Sequence, residues 1–197
     1  MTLKILVPCK RLSEGKSRLS RVLTLEERHD LCREFLEATL ELATAVVPAT
    51  DCLLVTGDPE AVSLASDRGV AALVDPGLGL NPSLRLGRDR LFREGATSLL
   101  VLPIDLPYAD TALLRKLIGS TADIAIAPDK NGQGTNVLRL GPKALNLDFR
   151  FGIDSFAAHS GLAREAGLSV EVFEDSGLGF DIDRPEDLAE WRRATTS

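Results

Sequence analysis

Ser98-Leu99-Leu100-Val101-Leu102-Pro103-Ile104-Asp105-Leu106-Pro107 is the most apolar stretch of the chain, and it runs into a carboxylate. Leu99 to Leu102 show no alternation, which is the pattern of a strand buried on both faces. Pro103 closes the run, and Asp105 follows in a turn. The segments on either side read as helices, one ending near Glu94-Gly95 and one over Thr111 to Ile118. A doubly covered strand between helices predicts an α/β chain with a largely parallel sheet.

Working outward, Leu3 to Val7 is a short apolar run closed by Pro8, and reads as the first strand. Residues 9–22 are basic and polar, and read as a loop. Thr24 and Glu27 then form a capping box for a helix whose apolar stripe is Leu31, Phe35, Leu42 and Val46. Cys52 to Val55 and Val70 to Val74 read as strands. Between them Asp58-Pro59 opens a helix, aspartate as cap and proline at its first position. A loop holding Gly77, Gly79, Asn81 and Pro82 leads into the helix before Ser98. Downstream, Asp123 to Ala127 and Asn136 to Leu140 read as strands around a glycine-rich loop at 128–134. A helix near Ser155 to Ala166, a strand at Val170 to Phe173, an extended piece at Phe180 to Asp183 and a helix over Pro185 to Arg193 complete the chain. Strands and helices alternate throughout with no repeat or linker. The expectation is one domain, residues 1–197, with a mostly parallel (mixed) Rossmann-like sheet and helices on both faces.

Composition narrows the function. With 44% hydrophobic and 26% charged residues, the 197-residue chain is in the ordinary globular class. A net charge of −6 argues against nucleic-acid binding by bulk electrostatics. Cys9, Cys32 and Cys52 match no zinc or disulfide pattern, which points to a reducing cytoplasm. Met1 to Pro8 is too short and too soon charged for a signal peptide. No apolar run approaches the roughly 20 residues that span a bilayer.

Four segments could carry chemistry. Pro8-Cys9-Lys10 and Gly15-Lys16-Ser17-Arg18 follow the first strand. Gly-Lys-Ser hints at a P-loop, but Lys10 stands where that pattern needs glycine. Lys10, Lys16 and Arg18 nevertheless lie at the carboxyl end of a strand, where open α/β sheets bind ligands, and three cations suit a triphosphate. The plain alternative is a solvated basic loop. Asp105, Asp181 and Asp183 are the second group. Asp181 and Asp183 are two apart in an extended segment, so both can face one point while Ile182 turns inward. Hard oxygen ligands of this kind suit Mg²⁺. Singly, Asp183 could be a helix cap and Asp105 a turn residue. The third segment is Pro128 to Asn136, with Gly132, Gly134 and Thr135, whose plain alternative is a hairpin loop between strands. The fourth is Arg150 to Ser155, with Gly152, running into a helix N-terminus suited to an anion. His29 and His159 are isolated and read as surface or capping residues.

Together these segments resemble the 2-phospho-L-lactate guanylyltransferase family, which also covers enzymes using phosphoenolpyruvate or 3-phosphoglycerate in coenzyme F-420 biosynthesis. The resemblance rests on Pro8-Cys9-Lys10 with Gly15-Lys16-Ser17-Arg18-Leu19, Gly79-Leu80-Asn81, Asp105-Leu106-Pro107, Gly134-Thr135-Asn136, Phe151-Gly152 with Ser155 to His159, and Asp181 to Leu188. It implies a Rossmann-like nucleotidyltransferase fold and GMP transfer from GTP to a small phospho-acid, with Mg²⁺ as cofactor. It further implies metal ligation by Asp105, Asp181 and Asp183, and phospho-acid binding by Thr135, Gly152 and Ser155. Triphosphate contacts would come from Lys10, Lys16 and Arg18 beside Pro8, with Asn81 on the guanine side. Gly15 departs from the family, whose members often carry alanine there; glycine is expected to loosen the loop. The rival readings are a different acceptor, such as a sugar phosphate or molybdopterin, and a nucleotide-binding module without turnover. No membrane or nucleic-acid partner is expected, and a homodimer is left open.

Overall fold

The computed structural model describes residues 2–195. The one-domain expectation over 1–197 includes Met1, Thr196 and Ser197, which lie outside the described residues. The chain order is β1 (Leu3–Cys9), α1 (Leu25–Val46), β2 (Cys52–Thr56), α2 (Pro59–Ser66), β3 (Ala71–Val74), α3 (Leu80–Arg93), β4 (Ser98–Val101), α4 (Thr111–Ile118), β5 (Ile124–Pro128), β6 (Thr135–Leu140), α5 (Ser155–Glu165), β7 (Val170–Val172), α6 (Ser176–Gly179) and α7 (Pro185–Thr195).

The capping chemistry sets several helix starts. Thr24 and Glu27 form the reciprocal capping box of α1, and the Asp58 carboxylate accepts from Glu60 N and Ala61 N at the start of α2. Three expectations shift. Pro8 lies inside β1, opposite Val55, so the strand continues to Cys9. The loop after β1 contains two single 3-10 turns, Leu12–Glu14 and Ser17–Leu19. Asn81 and Pro82 belong to the first turn of α3 and not to the loop before it.

Seven strands form one sheet in the order β3-β2-β1-β4-β6-β5-β7. All pairings are parallel except those of β6, which runs antiparallel to both β4 and β5. Alternate residues of the central strands enter opposite cores, as the unalternating apolar runs required. Leu100 and Leu102 pack with α1 and α4, whereas Leu99 and Val101 pack with α3 and α5. A third cluster joins Leu19 and Leu23, after the basic segment, to Phe35 of α1, to Phe180 and Ile182, and to Leu188 of α7. This small core fixes the irregular segments at the carboxyl edge of the sheet.

Topology decides what meets at that edge. β1 and β4 end there, and the basic loop and Asp105 follow them. Because β6 is reversed, it begins at the same edge, so Thr135, opposite Pro128 of β5, lies just beyond the end of β4.

Candidate active site

Asp105, Asp181 and Asp183 each offer a carboxylate oxygen within 4.8 Å of the other two. Two local features bring them together. Ile182 N donates to the Asp105 carbonyl at 3.2 Å, which ties the two segments backbone to backbone. Ile182 itself is fully buried, so its neighbours on either side both face the edge. The cap role open to Asp183 falls instead to Asp187. The Asp187 carboxylate accepts from Arg184 N at 2.7 Å and from Asp183 N at 3.1 Å, and is paired with Lys130. Asp183 is thereby left free to face the cluster.

The basic loop meets the carboxylates directly. Lys16 Nζ donates to Asp105 Oδ2 at 2.6 Å and lies 3.4 Å from Asp183 Oδ1, while Arg18 pairs with Asp183 Oδ2 at 2.5 Å. Lys16 is not the exposed residue of a solvated loop. Its side chain is 7% exposed, and the neighbouring carboxylates, Asp105 first, more than offset burial and raise its pKa. Arg18 is exposed. Asp181 has no cation at hydrogen-bonding distance among the described residues. Burial, then Asp105 and Asp183, push its carboxyl up to about 6.

The loop is well anchored. Leu12 N donates to Asp58 Oδ2 at 2.8 Å, and Arg28 donates to the Gly15 carbonyl at 3.1 Å. Lys16 adopts the left-handed conformation, φ 50°, which is uncommon for a residue with a side chain. Gly15 does not loosen this loop, contrary to expectation. A Cβ there would stand 2.4 Å from Cys32 Sγ, so glycine is the residue that fits against Cys32.

A cavity of about 630 Å³ opens beside the cluster, lined by Pro8, Lys10, Lys16, Arg18, Asp105 and Asp183 among others. Thr135, Gly152 and Ser155 stand outside it, on the far side of β4. Thr135 N donates to Ser155 Oγ at 2.8 Å, and both side chains are buried. Gly152 is exposed with φ 133°.

The chain is similar to known proteins over nearly its whole length. The guanylyl transferase CofC-like family matches residues 3–192. The chain belongs to that family. It is 41% identical over 192 residues to a phosphoenolpyruvate guanylyltransferase of Sphaerobacter thermophilus, covering 96% of this chain and 92% of the relative. It is 34% identical over 189 residues to a 2-phospho-L-lactate guanylyltransferase of Methanothermobacter thermautotrophicus, covering 94% and 82%. Two solved structures share the fold. A putative nucleotide-diphospho-sugar transferase of Desulfovibrio desulfuricans has TM-score 0.74 at 17% identity, covering 100% of this chain and 88% of its own. A nucleotidyl transferase of Methanothermobacter has TM-score 0.70 at 18% identity, covering 99% and 98%. The Rossmann-like nucleotidyltransferase fold expected from the family resemblance is therefore the fold observed.

For this family member, the structure also shows contacts that the sequence reading does not contain. Asn81 does not line the cavity. Its amide donates to the Phe151 carbonyl at 2.9 Å and accepts from Phe151 N at 2.9 Å, clamping the segment that carries Gly152. Asp75 and Ser83 do line the cavity, and Asp75 Oδ1 accepts from Ser83 Oγ at 2.7 Å and Gly77 N at 2.9 Å. Asp75 follows β3 as Asp105 follows β4, so the strand-end rule could have found it. His159 is neither surface nor cap. It is fully buried, 3.0 Å from Thr135 Oγ1 through Nδ1, and accepts from Arg150 N at 3.0 Å through Nε2. Burial pulls its pKa down to about 4, against a hydrogen bond with the Ser155 backbone. His29 lies on the surface beside Glu60, as expected.

Proposed function

We propose that the chain transfers GMP from GTP to the phosphate of a small phospho-acid and releases pyrophosphate. One observation carries the reading: along the carboxyl edge the cations follow β1, Asp105 of the carboxylate cluster follows β4, and Thr135, bonded to Ser155 at the start of α5, begins β6. At a strand spacing near 4.8 Å, β1 and β6 stand about 10 Å apart, a reach that suits a triphosphate meeting a phospho-acid. The carboxylates lie between them, where the reacting phosphorus would be held.

Lys10, Lys16 and Arg18 bind the triphosphate and balance charge on the leaving pyrophosphate. Lys16 and Arg18 already rest against Asp105 and Asp183, so an arriving triphosphate exchanges one set of anions for another. Asp105, Asp181 and Asp183 would hold Mg²⁺, whose charge would neutralise the phosphates drawn together there. The donor set fits a hard cation: three carboxylates, of which Asp181 has no cation at hydrogen-bonding distance among the described residues. Thr135, Ser155 and the backbone at Gly152 hold the acceptor acid. Its phosphate is ionised near neutral pH, so no general base is needed, and catalysis is positioning with electrostatic stabilisation. The names of the relatives support phosphoenolpyruvate or 2-phospho-L-lactate as acceptor, and 3-phosphoglycerate belongs to the same class. Guanine is the proposed base, and coenzyme F-420 biosynthesis the setting. Three free, buried cysteines suit a reducing cytoplasm. No described helix is long and apolar enough to cross a membrane.

The test of the metal assignment is pyrophosphate release with GTP and phosphoenolpyruvate, with and without chelator. Activity should vanish in excess chelator and return with Mg²⁺. Full turnover in chelator would remove the metal role from the three aspartates.

A further inference from the structure

His159 takes no part in the reaction proposed above, yet it is a fully buried imidazole bonded to a hydroxyl at the proposed acceptor site. Its surroundings fix its tautomer. A backbone N–H can only donate, so the Nε2 atom that faces Arg150 N at 3.0 Å must keep its lone pair. The neutral ring then carries its proton on Nδ1. That proton is shared between the Ser155 backbone and Thr135 Oγ1, the latter 3.0 Å away; because Nδ1 carries the hydrogen, Thr135 can only accept there and its own hydrogen must turn elsewhere. The Thr135 backbone N–H in turn donates to Ser155 Oγ at 2.8 Å, so Ser155 also spends a lone pair inward. Each hydroxyl keeps one hydrogen, and among the described residues no carbonyl or carboxylate accepts it. Phe151 packs edge-on against the imidazole at 4.9 Å and holds the ring in place.

From this chain of bonds we infer that His159 is a positioning residue that fixes the polarity of the acceptor site, making Thr135 a hydrogen-bond donor toward an anionic ligand. With the ring removed, the Thr135 hydroxyl is free to rotate and present a lone pair to the anion. The inference rests on the assignment of Thr135 and Ser155 to the acceptor, and the test separates the two.

The experiment measures Michaelis constants for phosphoenolpyruvate and GTP in T135V, H159F, H159N and the double variant T135V/H159F. T135V should raise the phosphoenolpyruvate constant about tenfold or more, the scale of losing a hydrogen bond to a charged group. H159F should raise it roughly fivefold and leave the GTP constant unchanged. His159→Asn places an amide N–H near the position of Nδ1–H, and should restore most of the loss. In the T135V background H159F should add nothing, because the group it acts through is gone. An equal, additive effect of H159F in that background would reduce His159 to a packing residue and overturn the inference. An unchanged phosphoenolpyruvate constant in T135V would instead overturn the acceptor assignment beneath it. A second measurement needs no variant: nitrogen-15 spectra of histidine-labelled protein should show His159 protonated at Nδ1 and bare at Nε2. The opposite tautomer would also sink the inference, whether or not H159F folds.

Discussion

At the scale of single residues, the convergence of Asp181 and Asp183 was legible because an extended backbone turns alternate side chains to one side. Its cost was not legible, since it depends on Asp105 arriving from 76 positions away. Replacing Asp181 by asparagine removes a half-buried charge set against two others. D181N should melt a few degrees higher than the parent chain without divalent ions, and lose at least about 10²-fold in turnover. Calorimetry with a kinetic assay checks both, and a lower melting point with normal rates would deny the cluster its role. Gly15 teaches the opposite lesson. Its fit depends on Cys32, a contact that sequence spacing does not reveal. G15A should destabilise by about 1–3 kcal/mol, the usual penalty of overpacking, and G15A/C32A should recover most of it in denaturant titrations. His159 was misread for the same reason: its partners are a strand residue and a backbone nitrogen brought in by folding. Its folded pKa, about 4, lies below the ordinary 6.5. The stability from its neutral form is therefore complete above pH 6.5 and drains away as pH falls toward 4. Urea titrations should show the advantage of the parent chain over H159F shrinking by roughly 2–3 kcal/mol between pH 7.5 and 4.5. A constant difference would mean the ring titrates normally.

At the scale of elements, caps and apolar runs located most helices and strands, because their causes are local. Thr24 with Glu27 and Asp58 with Pro59 act within four residues of themselves. The exceptions depend on tertiary contact. The turn α6 is fixed partly by Asn136, which donates to the Leu178 carbonyl at 2.9 Å from a neighbouring strand. The start of α7 is held by Asp187, leaving Asp183 to the site. D187A should cost about 1–2 kcal/mol for the lost cap and lower turnover by disturbing Asp183, whereas D187N should spare more of both. Equal activity in D187A would show that Asp183 is placed without it. Asn81 joins the first turn of α3 to the segment bearing Gly152. Removing its amide in N81A leaves two Phe151 backbone groups unpaired, and should raise the Michaelis constant for the phospho-acid more than that for GTP.

At the scale of the whole molecule, alternating strands and helices predicted a mostly parallel, mixed sheet, but not which strand would reverse. Reversal of β6 is what brings Thr135 to the edge where β1 and β4 end. Strand order is a property of packed layers and is not written in any one segment. The residues of the site were legible as separate motifs, and their order along the edge came only with the fold. That order, cations then carboxylates then hydroxyls, is the basis for reading the molecule as a transferase joining a nucleotide to a small acid. The direct measurement is to incubate the protein with GTP, Mg²⁺ and each of phosphoenolpyruvate, 2-phospho-L-lactate and 3-phosphoglycerate, and to weigh the products by mass spectrometry. The account predicts pyrophosphate together with a GMP–phospho-acid adduct for at least one of the three. Adduct formation only with a sugar phosphate or molybdopterin, or GTP binding with no product from any acceptor, would contradict it.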